Sequence, residues 1–180
     1  VYPVRLSGQK VALREWRDDD VDDALRVFGD ERVTRWLSFD NKSRDQVSQM
    51  VSDTVQRAGE AERKEYYLAV TSRDTGGLIG FARLGLSGVQ AADLGYAIAA
   101  DEWGKGYASD ATHSLIDFGF SELGLHRISA AIGPENVASI AVVRRLGFVE
   151  EGRLRDHVHT NGAWRDSVLY SLLVDEWRRG

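Results

Sequence analysis

The sequence predicts a mixed α/β (α+β) fold, a single domain over residues 1–180 built on a largely antiparallel sheet of about seven strands. Three observations predict it. The chain has 180 residues, 43 % hydrophobic and 28 % charged, the size and composition of one domain with a sizeable single core. Its apolar residues switch repeatedly between the period of strands and the period of helices. Two pairs of strand-like runs are joined by the hairpin signals Arg73-Asp74-Thr75-Gly76-Gly77 and Thr160-Asn161-Gly162-Ala163, which make antiparallel neighbours.

Lys10 to Arg17 sets Val11, Leu13 and Glu15 against Ala12, Arg14 and Trp16 and reads as a first strand. Asp18-Asp19-Asp20 caps a helix through Val21, Ala24, Leu25 and Phe28; aspartate is favoured at a helix start, which explains the cluster better than a metal does. A helical turn follows around Glu31 to Leu37. Ser43-Arg44-Asp45-Gln46 has the capping-box pattern and opens a helix that Gly59 ends. Glu65 to Thr71 and Leu78 to Leu86 form the first hairpin, with Gly80 and Gly85 marking bulges. After a loop at Ser87 to Ala91, the apolar run Leu94 to Ala99 is a fourth strand. A glycine turn leads from it into a helix from about Tyr107 to Leu123. His126 to Ile132 is a fifth strand. Asn136 caps the helix Val137 to Leu146, and Gly147 ends it. Phe148 to His157 and Trp164 to Val174 are the last two strands.

Several function classes are excluded at this point. No apolar stretch reaches the roughly 18 residues of a membrane span. The opening VYPVRLSGQKVALREW lacks the basic and apolar regions of a secretory signal. The chain has no cysteine, hence no disulfide, thiolate metal site or cysteine nucleophile, which fits a cytoplasmic location. A net charge of −5 argues against a nucleic-acid partner, and an anionic ligand would need local positive charge. His157 and His159 share a strand face, but no third ligand accompanies them, so no metal is expected.

The turn Trp103-Gly104-Lys105-Gly106-Tyr107-Ala108 organises the rest. A strand that turns through glycines into a helix presents unpaired N–H groups and the positive end of the helix dipole, a site suited to phosphate. Gly104 and Gly106 let the backbone approach an anion, and Lys105 adds a charge. The dinucleotide fingerprint fails because Ser109 stands where a third glycine belongs. The nucleoside-triphosphate loop fails because Gly106 follows Lys105. A helix start with no ligand remains the alternative on these residues alone.

This order of elements resembles the GCN5-related N-acetyltransferases, and within them the group that acetylates N-terminal amines of ribosomal proteins. Three pieces carry the resemblance: LGYAIAADEWGKGYASDA at Leu94 to Ala111, NVASIAVVRRLGFVEEGRLR at Asn136 to Arg155, and Asp166 to Leu173 in the last strand. It implies a sheet whose fourth and fifth strands splay apart around the pantetheine arm of acetyl-coenzyme A. It implies that the amides of Gly104, Lys105, Gly106, Tyr107, Ala108 and Ser109 hold the pyrophosphate. Ile98 and Ala99 would bind the arm through their backbones, and Asn136 through its side chain. Trp103 departs from the family's usual Gln or Arg at the head of this loop. The resemblance further implies direct acetyl transfer from acetyl-CoA to a primary amine, most readily a protein N-terminus. A small-molecule amine, such as an antibiotic or polyamine, and a non-catalytic acyl-CoA sensor are the alternatives. Many relatives are homodimers.

For the leaving thiolate, many members use a tyrosine seven residues after the asparagine; that position is Val143 here. Ser139 matches a serine given this role in the ribosomal-protein group, and equally reads as a small residue that lets the helix pack near the cofactor. The glutamate of the closest members falls at about Val158 here, and the resemblance offers Asp93, at the start of the fourth strand, where members often carry a carboxylate. At neutral pH a lysine-like amine costs roughly 4 kcal/mol to deprotonate and an α-amine about 1. A site without a strong base therefore leans toward α-amines. The loops Leu37 to Lys42, Ser87 to Ala91 and Thr160 to Ala163 are expected to set the acceptor.

Overall fold

The computed structural model describes all of Val1–Gly180. Eight strands and six α-helices follow one another as β1 (Arg5–Ser7), β2 (Val11–Arg14), α1 (Val21–Phe28), α2 (Glu31–Thr34), α3 (Arg44–Ala58), β3 (Glu65–Ser72), β4 (Leu78–Leu86), β5 (Ala91–Ile98), α4 (Tyr107–Ser121), β6 (Arg127–Ile132), α5 (Val137–Arg145), β7 (Val149–Thr160), β8 (Ala163–Leu173) and α6 (Val174–Arg179). They form one sheet in the order β1-β2-β3-β4-β5-β6-β8-β7. All neighbours are antiparallel except β5 and β6. The expected seven strands become eight because Arg5–Ser7 pairs with β2, a three-residue edge too short to show a period. The last strand stops one residue early, since Val174 opens α6, where Glu176 Oε1 accepts from the Leu173 N–H at 2.9 Å. β5 starts at Ala91, not Leu94, and Ala99 lies beyond its end.

The helix starts follow the sequence chemistry. Ser43 Oγ accepts from the Gln46 N–H at 3.2 Å while Gln46 Oε1 accepts from the Ser43 N–H at 2.9 Å. In the aspartate run, Asp20 takes the Arg14 guanidinium through both oxygens at 2.9 Å and the Arg17 N–H at 2.7 Å, so it locks a 3-10 turn ahead of α1. Helices cover both faces of the sheet. The larger core, 26 buried residues, lies on the α4 side, and a second of 12 lies under α1 and α3. Burial on two faces is why β3 and β4 read as continuous apolar runs. Gly80 sits beside a bulge, and a Cβ there would come within 2.2 Å of the Ala97 carbonyl oxygen. Gly85 marks no bulge. It leaves room for the guanidinium of Arg83, which pairs with both Glu65 and Asp93.

β5 and β6 pair only over Ala91↔Arg127, Ala92↔Ile128 and Asp93↔Ser129. Beyond Asp93 they diverge, and the sheet opens between them. α5 leaves the end of β6 on one side of this gap.

Burial raises the pKa of Tyr66 and Tyr67, and that of Tyr96 to about 12. Above pH 10 the unfolded chain loses tyrosine protons that the folded chain keeps. Stability is therefore expected to hold up to about pH 10 and then fall, by on the order of 1 kcal/mol per pH unit for a group such as Tyr96. Thermal melts between pH 8 and 11.5 measure this; a midpoint that does not drop above pH 10 contradicts it.

Candidate functional site

The turn after β5 is shaped by two glycines in the left-handed region, Gly104 and Gly106, both at φ 80°. L-residues with side chains rarely adopt this conformation. Gly106 is the N-cap of α4. No backbone N–H from Gly104 to Ser109 has an acceptor within the chain; the first helical bond at this end runs from Asp110 N–H to the Gly106 carbonyl at 3.2 Å. These unpaired donors stand at the N-terminal dipole of a fifteen-residue helix.

The loop is held from three sides. Trp103 Nε1 donates to the Ile98 carbonyl at 2.8 Å, which pins the turn to the end of β5 and gives the unusual Trp a role. Lys10 Nζ donates to the Lys105 carbonyl at 2.8 Å and would lie 2.9 Å from a Cβ on Gly106, so an ammonium group stands behind the loop. Asp110 in α4 accepts from the N–H groups of Gln9, Lys10 and Val11 at 3.1, 2.8 and 3.0 Å, which fixes the turn carrying Lys10. Lys105, expected to supply the charge, is paired with Glu102 at 2.7 Å.

A cleft of about 670 Å³ runs from this loop into the gap between β5 and β6. Of the expected site residues, Ile98, Gly104, Gly106, Tyr107, Ala108, Ser109, Asn136 and Ser139 line it. Val33, Trp36 and Leu37 close its other side. Asn136 caps α5 by accepting from the Ser139 N–H at 3.2 Å, and its amide NH2 has no partner in the chain. Main-chain groups alternate direction along a strand. Ala99 N–H donates to Ile79 in β4, so the N–H of Ile98 points the opposite way, into the gap.

Two expectations are corrected. Ala99 is not free to hold a ligand through its backbone: its N–H goes to the Ile79 carbonyl at 2.8 Å and its own carbonyl accepts from Glu102 N–H at 2.9 Å. Asp93 is not brought to the cleft. It sits where β5 and β6 are still paired and binds Arg83 at 2.9 Å. Of the three loops, Leu37 to Lys42 and Thr160 to Ala163 are tied together beside the cleft, because Asp40 Oδ1 accepts from Thr160 Oγ1 at 2.7 Å and Asn161 N–H at 2.8 Å. Ser87 to Ala91 lies at the opposite end of β5 and bonds to His126. His157 bonds Ser167 and His159 meets Trp164, both away from the cleft.

Tyr96 was not anticipated. Its side chain shares the core face of β5 with Leu94 and Ile98 and reaches across the gap to α5. There its hydroxyl meets Ser139 Oγ at 2.5 Å. Burial pushes its pKa up to about 12, against a smaller lowering by the Ser139 bond. Val143, the position of the missing family tyrosine, is wholly buried. Tyr96 thus brings a phenol to α5 from another strand. Period-two alternation marks Tyr96 as inward but cannot show that the sheet is open beside it. Glu135 also lines the cleft, exposed and without an ion pair.

Comparison with known proteins agrees with this geometry. The family described as Acetyltransferase (GNAT) domain matches residues 10–149. An uncharacterized N-acetyltransferase of Bacillus licheniformis is 32 % identical over 96 % of this chain and 97 % of its own length. The ribosomal protein uS5-alanine N-acetyltransferase of Escherichia coli is 34 % identical over 58 % of this chain and 54 % of its own. Among solved structures, Mycobacterium smegmatis RimJ in complex with CoA-disulfide superposes with a TM-score of 0.85 at 26 % identity, covering 97 % of this chain and 90 % of that one. The divergent central strands, the amide-rich turn and these likenesses lead to one conclusion: the chain belongs to the GNAT family and is an N-acetyltransferase of the kind that includes the ribosomal-protein acetyltransferases.

Proposed function

We propose that the protein moves an acetyl group from acetyl-CoA directly to the α-amine at the N-terminus of a protein or peptide, a ribosomal protein being the class its relatives' names suggest. The observation that carries this reading is the run of N–H groups from Gly104 to Ser109 with no acceptor in the chain, opening on the cleft. In it, the amides of Gly104, Lys105, Gly106, Tyr107, Ala108 and Ser109 bind the pyrophosphate, with the Lys10 ammonium behind them. The pantetheine arm enters the gap, where the Asn136 amide meets it. The Ile98 N–H polarises the thioester carbonyl.

The amine nitrogen attacks the carbonyl carbon, the C–S bond breaks, and the proton lost by nitrogen ends on sulfur. Tyr96 and Ser139 stand at the leaving sulfur. With its pKa at about 12, Tyr96 does not give up its proton to a thiolate whose thiol has pKa about 8.5. It keeps the proton and donates a hydrogen bond, directly or through Ser139, as negative charge grows on sulfur. The acceptor class follows from the scarcity of bases. Glu102 is committed to Lys105, and Glu135 is exposed. Such a site suits an amine that loses its proton for about 1 kcal/mol rather than roughly 4.

Thiol release from acetyl-CoA, measured with a panel of amines, tests this. Peptides with a free N-terminus are expected to turn over at least ~10-fold faster than polyamines, aminoglycosides, or N-terminally blocked peptides carrying lysine. Fastest turnover on a polyamine or aminoglycoside would overturn the acceptor assignment.

A further inference from the structure

α2 and the turn after it separate two cavities. The helical path runs on past Thr34, because Trp36 N–H donates to the Val33 carbonyl at 3.1 Å and Leu37 N–H to the Thr34 carbonyl at 3.0 Å. Residues three and four apart share one face of such a path. Val33, Trp36 and Leu37 make one face and line the cleft. Glu31, Thr34 and Arg35 make the other and, with Arg32, Asn41 and Asn161, line a second cavity of about 430 Å³. None of those six residues is apolar.

One cation in this cavity is uncommitted. Arg32 Nη2 meets Asp30 at 2.7 Å and Asp101 at 3.2 Å. Arg35 has no carboxylate within 4.0 Å, and Glu31, one helical turn before it, does not reach it. The Arg35 guanidinium instead lies over the Trp36 ring, 4.7 Å from its centroid. An aromatic ring that lines the cleft thus positions a cation that lines the second cavity. Resting on a ring leaves the in-plane N–H donors of a guanidinium free, and their fork matches a carboxylate. Two neutral groups stand beside it. Asn41 Nδ2 donates to Thr34 Oγ1 at 3.2 Å, which leaves its Oδ1 open, and Asn161 is held by its backbone N–H to Asp40 at 2.8 Å, which leaves its side-chain amide open. Such groups pair with the main chain of a peptide.

We propose that the second cavity receives the third or fourth residue of the acceptor peptide, and that Arg35 selects an acidic side chain there. This rests on the reading above, transfer to a peptide α-amine, and names the sequence of that peptide. The spacing follows from the wall between the cavities. A helix with its side chains is about 10 Å across. An extended chain advances about 3.3 Å per residue, so about three residues cross it. With its first residue in the cleft, the peptide passes over Trp36 and brings residue 3 or 4 to Arg35. A polyamine or a free amino acid has no acidic group at that reach.

A set of alanine pentapeptide amides with a free N-terminus, each carrying one Glu at position 2, 3, 4 or 5, tests this against the matching Gln peptides at saturating acetyl-CoA. At position 3 or 4 the Glu peptide is expected to have a kcat/KM about 5-fold above its Gln partner, the upper range for an exposed ion pair, and the ratio should fall as salt is added. Arg35→Gln is expected to bring that ratio within about twofold of unity, through the KM of the Glu peptide. Arg35→Lys should keep part of it, and Arg35→Glu should make a Lys peptide overtake the Glu peptide. Arg178→Gln removes the same charge from α6, at the far end of the sheet, and should leave the ratio as it was. Unchanged coenzyme A affinity in the Arg35 variants shows that they fold. No Glu preference at position 3 or 4, or one that survives Arg35→Gln, would overturn the proposal. If no peptide is acetylated, the transfer reading fails by itself and binding decides for Arg35. In titration calorimetry with coenzyme A present, a Glu peptide should then bind about 5-fold tighter than its Gln partner to the native protein and equally to Arg35→Gln; equal binding to the native protein overturns it.

Discussion

Gly106→Val is expected to raise the dissociation constant for coenzyme A by about 30-fold or more. Gly106 caps α4 at φ 80°, where a side chain costs ~1–2 kcal/mol and a β-branched one more. A Cβ would also press on Lys10 Nζ at 2.9 Å, which loosens the bond from Lys10 to the Lys105 carbonyl. Either the loop keeps its shape under strain or it relaxes and scatters the N–H groups that converge there. Gly88→Ala supplies the control. Gly88 also has a positive φ, 65°, with nothing within 4 Å of its Cβ position, and it lies in the loop at the far end of β5. It should lose stability, though less than Gly106→Val, and no affinity. Titration calorimetry with coenzyme A on both variants decides the matter: equal affinities would remove the amide loop as the pyrophosphate site.

Tyr96→Phe is expected to lower kcat by about 100-fold, the lower range for a positioned proton or hydrogen-bond donor. Its effect on the dissociation constant for acetyl-CoA should stay within about threefold, since the ring remains and only the hydroxyl goes. The substitution removes the 2.5 Å bond to Ser139 and leaves that hydroxyl free to reach sulfur by itself. Ser139→Ala alone should therefore cost less than the double variant, and the two losses should not add, because the residues act as a unit. Steady-state rates on a good peptide acceptor, with acetyl-CoA affinity measured separately, read this. A Tyr96→Phe enzyme with full turnover would return the pair to packing.

Much of this architecture was legible in the residues. Apolar period and turn chemistry located the long strands and the helix starts, because a capping box such as Ser43–Gln46 and a hairpin turn such as Asn161-Gly162 act over a few residues. The amide loop was legible for the same reason, since two glycines between strand and helix specify it locally. What escaped depends on distant partners. Lys10 and Lys105 are 95 residues apart, and Tyr96 and Ser139 are 43 apart. The resemblance offers Asp93 as a carboxylate for the site, and nothing nearby in sequence announces that Arg83 will claim it. Nothing in the residues around Arg165 sets it apart, and only folding shows that its Nε is buried without an acceptor. β1 and α6 are short elements that packing stabilises and periodicity does not signal.

A grip made from main-chain atoms is blind to most substitutions. At the turn after β5 only the two glycines and the start of α4 are constrained, while the identities of Lys105, Tyr107 and Ala108 are not fixed by N–H donation. The opposite side of the cleft, at Val33, Trp36 and Leu37, is built from side chains and changes with each of them. On the proposed function, one half of the reaction is thereby insulated from genetic drift and the other exposed to it. Such a division lets descendants of one ancestor keep a common acyl donor while their choice of amine diverges.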